Sequence, residues 1–214
     1  MPACATKNAA WSAIVLSLSL LSASCVQSVH KVARDESFMK QEAGRNAWRK
    51  VAVLPFKGEP AFRRVAAEWL AFRLRQHRLF EVVDPSLAEI ELKKKGIPGG
   101  GAGTTVEKAR EAGRLLGVDG VVIGTVDPVP SGRQEVSTVG ASVVDMATGK
   151  VVANSTQSFS PWGGRRQESM IAAVNQVAED FVPIFHAAAG KPWTPPPKMK
   201  HQGQEPQARD PALR

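Results

Sequence analysis

Cysteine is scarce in this chain and tyrosine is absent: the 214 residues contain only Cys4 and Cys25. If the chain is cleaved before Cys25, Cys4 is removed, Cys25 becomes the first residue, and no disulfide framework is possible in the folded body. The four histidines are scattered, without HExxH or a Cys/His spacing that could bind zinc. The candidate nucleophiles Ser155 and Ser158 lack the glycines of a nucleophile elbow. The sequence therefore predicts a protein that is not an enzyme, with no catalytic residues, cofactor or metal site.

Long apolar runs are missing as well. The apolar segment at the N-terminus, residues 9–21, is shorter than the roughly 20 residues that span a bilayer. It follows Lys7 and precedes small residues at 22–24, which is the layout of a secretory signal. Cys25 follows these small residues directly, and this arrangement resembles the lipobox of bacterial lipoproteins. We therefore expect a signal peptide over 1–24 and lipidation of Cys25 with fatty acyl chains such as palmitate, unless ordinary cleavage leaves a soluble secreted protein.

Acidic residues are outnumbered, and the formal net charge is +8. Part of the excess lies in residues 191–214, a proline-rich segment predicted to be a disordered basic tail. The tail either contacts anionic lipid headgroups and cell-wall polymers or is only solvated. The remaining charge balance is ordinary, so the sequence predicts no nucleic-acid partner. Residues 25–48 are mixed and polar and are predicted to be a lipidated tether, which leaves residues 49–190 as one domain.

The segment 61–78 has the apolar spacing of an amphipathic helix. Trp69 shares its apolar side with Phe62, so Trp69 is expected to be buried against the sheet. The other side carries three arginines, Arg64, Arg75 and Arg78. These arginines are a candidate partner-binding face, and a purely solvated side is the alternative.

The remaining patterns alternate between strands and helices. Strands are predicted over 49–56, 79–83, 118–126, 135–145 and 150–159, and further helices over 87–95, 106–116 and 165–189. Ser86 is the predicted N-cap of the second helix and Thr104 or Thr105 that of the third, which Gly117 ends. Gly149 is expected to give the last two strands a tight hairpin turn. This order predicts a single α/β (α+β) sandwich domain with a mixed, largely antiparallel sheet flanked by helices.

Four connecting features complete the prediction. The glycine-rich segment 96–103 lacks the Lys-Ser or Lys-Thr of a phosphate loop and is expected to be a flexible loop. Residues 125–135 contain proline and glycine and are expected to be a short connection. Pro183 should bend or interrupt the closing helix. Three carboxylates, Asp84, Asp119 and Asp145, are predicted to be turn and cap residues.

Four segments resemble one known family in order. They are "VAVLPF", "LFEVVD", "GRLLGVDGVVIGTV" and "VVDMATGKVV", within residues 49–189. Together they are similar to the periplasmic domain shared by CsgG-like curli-secretion lipoproteins and LpoB-like activators of penicillin-binding proteins. This resemblance implies an outer-membrane lipoprotein that faces the periplasm and binds an envelope protein, such as a penicillin-binding protein or a secretion component. The alternative that it implies is a ring-forming homo-oligomer of the CsgG type.

The pore-forming function of the CsgG-like proteins is not expected here. A membrane-spanning hairpin needs two strands of about 9 to 11 alternating residues. The two candidate segments, 96–105 and 125–135, are too short for such a pair. The sequence therefore favours an envelope interaction module.

Overall fold

The described residues form one seven-stranded sheet, built largely from short apolar, β-branched runs, with helices on both sides. A computed structural model describes residues 30–39, 47–97, 105–131, 134–159 and 166–194. The strands are β1 (His30–Arg34), β2 (Lys50–Val53), β3 (Lys57–Gly58), β4 (Glu81–Val83), β5 (Gly120–Ser131), β6 (Gln134–Asp145) and β7 (Val151–Phe159). The helices are α1 (Glu36–Met39), α2 (Pro60–Gln76), α3 (Pro85–Lys94), α4 (Val106–Leu116) and α5 (Arg166–Ala188). The predicted signal peptide, Cys25 and most of the glycine-rich loop lie outside the described residues.

The sheet has a parallel half and an antiparallel half. Its strand order is β1-β7-β6-β5-β2-β4, with β3 also paired to β5. β2 pairs in parallel with β4 and β5, because helical connections return the chain to the same end of the sheet. β5, β6 and β7 are antiparallel neighbours, and β1 adds antiparallel to β7. The predicted mixed, largely antiparallel sheet flanked by helices is confirmed.

Two apolar layers cover the sheet. α2 and α5 pack on one face, and α3 and α4 pack on the other. On β2, Val51 and Val53 belong to the first layer, while Ala52 and Leu54, just beyond the strand, belong to the second. A strand buried on both faces reads as a continuous apolar run, which explains the pattern over residues 49–56. In the described part of the chain, no helix has the length and apolar character needed to cross a membrane.

Local signals place α4 and the last hairpin as predicted. Thr105 is the N-cap of α4, and its side chain accepts a hydrogen bond from the backbone N–H of Lys108. Gly117 ends the helix in the left-handed conformation, with φ of 63°. Gly149 has φ of 69° in the turn between β6 and β7. Each of these positions favours a short polar side chain or glycine for a local geometric reason.

The start of α3 differs from the prediction. The N-cap is Asp84 and the first helical residue is Pro85, two positions before the predicted start. Proline suits the first turn because its φ is already helical and its missing N–H would have no partner there. Ser86 is therefore inside the helix, and its hydroxyl donates to Glu68 instead of capping.

The predicted tether is wrong for its middle part, because His30–Arg34 forms β1. This strand pairs with β7 from His30 opposite Gln157 to Arg34 opposite Ala153. The backbone N–H of Asp35 then donates to the carbonyl of Val152 at 2.8 Å. β1 has no apolar alternation of its own, so its structure depends on the open edge of β7.

The short connection predicted over 125–135 is also wrong. β5 and β6 stay in register as far as Ser131 opposite Gln134. Proline lacks an N–H and is tolerated in a strand where no neighbour needs that donor. β3 ends at Gly58, opposite Val126, so no strand of the described residues pairs with this edge of β5 at Pro128 and Pro130. The β5–β6 hairpin is therefore longer than its composition indicates.

The closing helix is continuous through Pro183, so this proline does not interrupt it. Only the first residues of the predicted basic tail, 191–194, are described. The carbonyl of Pro192 accepts a hydrogen bond from Nδ1 of His186 at 3.0 Å. Trp193 lines a shallow groove with Met39 and Pro183. The tail thus begins against α5, and its later residues lie outside the described part of the chain.

Candidate interaction face

Four side chains of α2 share one side of the helix that is not part of its buried face. They are Arg64, Glu68, Phe72 and Arg75, here called the α2 face. Their spacings of four, four and three residues stack them along one side of a helix. The opposite side of α2 is buried through its alanines and leucines. Two of the three arginines singled out from the sequence, Arg64 and Arg75, thus lie on one exposed surface.

Arg64 belongs to a network that joins α2 to α3. Its Nε lies 2.8 Å from Oε1 of Glu68, and its Nη2 donates to Oγ of Ser86 at 3.3 Å. Ser86 in turn donates to the same Glu68 oxygen at 2.9 Å. The hydrogen bond from Arg64 is the main cause that holds the pKa of Glu68 below its ordinary value, and partial burial opposes it. The carboxylate therefore stays ionised into mildly acidic conditions and loses this stabilising contribution as the pH falls through its lowered pKa.

Arg75 pairs with the residue that precedes α3. Its Nη1 lies 2.6 Å from Oδ2 of Asp84. Arg78 follows the end of α2 and is exposed, with a positive φ of 50°. It is therefore not part of the helical row formed by Arg64 and Arg75. The sequence prediction grouped the three arginines because it extended the helix to residue 78, whereas α2 ends at Gln76.

Phe72 is the member of the α2 face that sequence analysis missed. Its side chain is 43% exposed in the middle of the charged row. Its ring centre lies 5.3 Å from that of Trp69. Phe72 lies eight positions after Arg64 and three before Arg75, so it interrupts the polar pattern of that side of the helix. This interruption is the sequence feature from which the exposed ring could have been predicted.

Trp69 itself is only partly buried, which corrects the expected burial against the sheet. It lies at the boundary between α2 and α5, where its Nε1 donates to Oδ1 of Asn175 at 2.9 Å. An indole N–H needs a polar partner when it leaves water, and α5 supplies one. Arg73 strengthens the same boundary, with Nη2 lying 2.9 Å from Oε1 of Glu179. Trp69 is thus held by α5 and supports the exposed ring of Phe72.

The α2 face has the chemistry of a protein-binding surface. Arginine and large aromatic residues are enriched among the residues that dominate binding energy in protein interfaces. The ion pairs of Arg64 and Arg75 are exposed, and exposed pairs contribute only about 0 to 1 kcal/mol. A docked partner can therefore replace them at small cost.

Of the carboxylates that were predicted to be turn and cap residues, Asp145 holds its own turn, whereas Asp119 instead binds the start of β2. Oδ2 of Asp119 accepts hydrogen bonds from the backbone N–H groups of Arg49 and Lys50 at 2.7 and 3.0 Å. Asp145 is buried and accepts from the backbone N–H of Thr148 at 2.9 Å and from Nε1 of Trp48 at 3.2 Å. Both carboxylates therefore hold β2 and the β6–β7 turn in place. The third, Asp84, is the N-cap residue of α3, although its side chain pairs with Arg75 and makes no cap hydrogen bond.

Known proteins share the fold of this chain, but the comparisons do not assign it to a family. No protein-family model matches the chain, and no curated protein matches it. A PelC dodecamer from Paraburkholderia phytofirmans has a TM-score of 0.50 and 18% sequence identity, over 74% of this chain and 97% of that chain. This likeness shows that the two proteins share a fold.

Two further solved structures are similar over shorter parts of the chain. Lipoprotein GNA1162 from Neisseria meningitidis has a TM-score of 0.44 and 19% identity, over 61% of this chain and 99% of that chain. The LpoB C-terminal domain from Escherichia coli has a TM-score of 0.42 and 17% identity, over 58% of this chain and 92% of that chain.

Proposed function

We propose that this chain is a non-enzymatic outer-membrane lipoprotein that faces the periplasm and binds an envelope protein through the α2 face. The observation that carries the proposal is Phe72, an exposed aromatic side chain set between Arg64 and Arg75 on a rigid helix. Such a surface provides an apolar anchor with a charged rim, which is the usual anatomy of a protein interface. The partner belongs to cell-wall synthesis or to a secretion assembly.

The position of β1 supports a module held close to the membrane. Cys25 is the proposed site of lipidation, and β1 begins five residues later at His30. Five residues of extended chain span at most about 18 Å. Because β1 is part of the sheet, the folded body would lie within that distance of the bilayer surface rather than at the end of a long tether.

A second candidate is a homo-oligomer that assembles at the membrane. The observation in its favour is that the PelC structure with the shared fold is a dodecamer. In this case the α2 face would contact another copy of this chain instead of a different envelope protein. The crosslinking experiment described below separates the two candidates.

The anchor is tested by replacing Cys25 with alanine. We expect the Cys25→Ala protein to move from the membrane fraction to the soluble fraction, and to lose labelling by a fatty-acid analogue. Without covalent acyl chains, a protein of this kind has only weak surface attraction to lipid. A control at Cys4, Cys4→Ala, should leave both localisation and labelling unchanged. If Cys25→Ala still sediments with membranes and the wild type takes no label, the lipoprotein proposal is wrong.

The α2 face is tested by placing a photo-crosslinking amino acid at position 72 in cells. We expect one dominant adduct, and we expect Phe72→Ala to weaken binding of that partner about tenfold or more, as for a residue that dominates an interface. An adduct at a multiple of the mass of the mature chain, measured without crosslinking, identifies the homo-oligomer. Any other discrete mass identifies a different envelope protein.

The matched control for this experiment is Leu87 on α3. Its side chain is also apolar and is 56% exposed, but it lies outside the α2 face. A crosslinker at position 87 should give no comparable adduct, and charge reversal at Arg64 and Arg75 should suppress the adduct at position 72. Equal adducts at both positions would show that the α2 face has no special role.

A further inference from the structure

A cavity of about 230 Å³ lies where the connections of the parallel strands separate. β2 and β4 are adjacent and parallel, and β2 is followed by α2 on one face of the sheet while β4 is followed by α3 on the other. In open α/β sheets, such a divergence at the carboxyl ends of two strands leaves a crevice in which ligands bind. The cavity is lined from both connections, by Pro55 and Phe56 after β2 and by Pro85 and Ser86 after β4.

The apolar wall of this cavity is formed by a buried ring and by prolines, whose backbone φ is fixed. Phe56 is buried, and its ring lies over Gly124, where an added Cβ would come within 2.6 Å of the ring. Three prolines, Pro55, Pro60 and Pro85, form the rest of that wall. Fixed walls reduce the ordering cost of binding, so a small ligand can be held without a large conformational change.

The polar lining contains one cation that has no ion-pair partner in the described part of the chain. Arg63 lines the cavity, and its side chain makes no ion pair or hydrogen bond with the described residues. The other charged groups of the lining have partners: Arg64 pairs with Glu68, and Glu89 pairs with Lys93 at 2.9 Å. Among the described residues, Arg63 is therefore the charged group of the lining that has no partner, and Ser86 lines the same cavity.

We propose that this cavity binds a small molecule through a single negatively charged oxyanion, either a carboxylate or a phosphodiester. The planar fork of Arg63 donates two parallel hydrogen bonds to such a group, and the phenylalanine and proline wall packs against a short apolar body. One unpaired cation matches one negative charge, whereas Glu89 opposes a second. This site is additional to the protein-binding role of the α2 face, since it depends on Arg63 and not on Phe72.

The ligand class is tested by titrating the full-length chain, purified in detergent, with three probes followed by amide chemical shifts in NMR. The probes are N-acetylalanine, dimethyl phosphate and the neutral N-acetylalaninamide. We expect saturable shifts at the backbone amides of residues 63–64 and 86–89 with at least one of the two anions, which identifies a carboxylate or phosphodiester source. Saturation by neither anion, or equal binding of the neutral amide, overturns the proposal.

Three variants test the site itself. Arg63→Gln should weaken binding of the active probe about tenfold, as for the loss of a charge-assisted hydrogen bond. Glu89→Gln should strengthen binding about twofold because it removes an opposing charge. Arg114→Gln, which removes an exposed charge from α4 outside the cavity, should leave the affinity unchanged. If Arg114→Gln weakens binding as much as Arg63→Gln, the shifts report general charge attraction and the site does not exist.

Discussion

Replacing Phe185 with alanine should lower the free energy of unfolding by about 3 to 5 kcal/mol. Phe185 is 1% exposed and lies at the centre of the layer between α5 and the sheet. Its ring centre lies 5.1 Å from that of Phe80, 6.0 Å from that of Phe181 and 6.3 Å from that of Trp48. Removal of this ring leaves a cavity that these neighbours cannot fill by small shifts, so both the lost burial and the cavity contribute to the cost.

Chemical denaturation of Phe185→Ala and the wild type measures this difference. The matched control is Phe72→Ala, which removes the same atoms from the exposed α2 face and should cost less than about 1 kcal/mol. A loss at position 185 no larger than that at position 72 would contradict the placement of α5 on the sheet. Of these two variants, only Phe72→Ala is expected to keep its stability while it loses binding of the envelope partner.

Replacing Asp180 with alanine should also destabilise the protein strongly, by about 3 kcal/mol. Asp180 lies on α5 and is 5% exposed. Its Oδ2 accepts hydrogen bonds from Oγ of Ser155 at 2.6 Å and from Nε2 of Gln157 at 2.7 Å. Its Oδ1 lies 3.4 Å from Nε2 of His30. Alanine would remove the shared acceptor of two buried donors of β7, which costs more than the loss of an exposed pair.

Two measurements separate this effect from a general weakening of α5. Asp180→Asn keeps an acceptor oxygen and should lose about 1 kcal/mol, and Glu179→Ala removes only the exposed pair with Arg73 and should lose about as little. Hydrogen exchange should become faster at the start of β1 in Asp180→Ala, because His30 contacts the carboxylate of Asp180, whereas Arg34 donates to the backbone carbonyl of Asp180, which alanine keeps. Unchanged exchange in β1 would show that β7 alone holds that strand.

Part of the α2 face could be predicted from the sequence. The spacing of the arginines identified the exposed side of the helix, because helical periodicity is a local property. Their pairing with Glu68 and Asp84 depends on how closely α2 and α3 approach one another. The role of Trp69 likewise depends on Asn175, which lies 106 positions away in the chain. No periodicity in α2 could report that contact.

Asp180 could have been recognised as unusual from the sequence. It falls between Val177 and Phe181 in the apolar spacing of α5, where a carboxylate interrupts the buried side. The sequence could not show which groups satisfy it, because Ser155 and Gln157 belong to a strand that only the fold brings near. A buried polar residue is thus detectable locally, whereas its partners are not.

By itself, the sequence determined those elements whose signals lie within a few residues of each other. The Thr105 cap, the left-handed Gly117 and the Gly149 turn are of this kind, and so is the alternation of strands and helices that predicts the mixed sheet. Only the tertiary structure decided that the polar segment His30–Arg34 is a strand and that β5 continues through Pro128. β1 depends on the edge of β7 and on Arg34 reaching Asp180, 146 positions away. Backbone groups at an open sheet edge accept a partner of almost any composition, so the available edge, and not the local sequence, decides where such a strand forms.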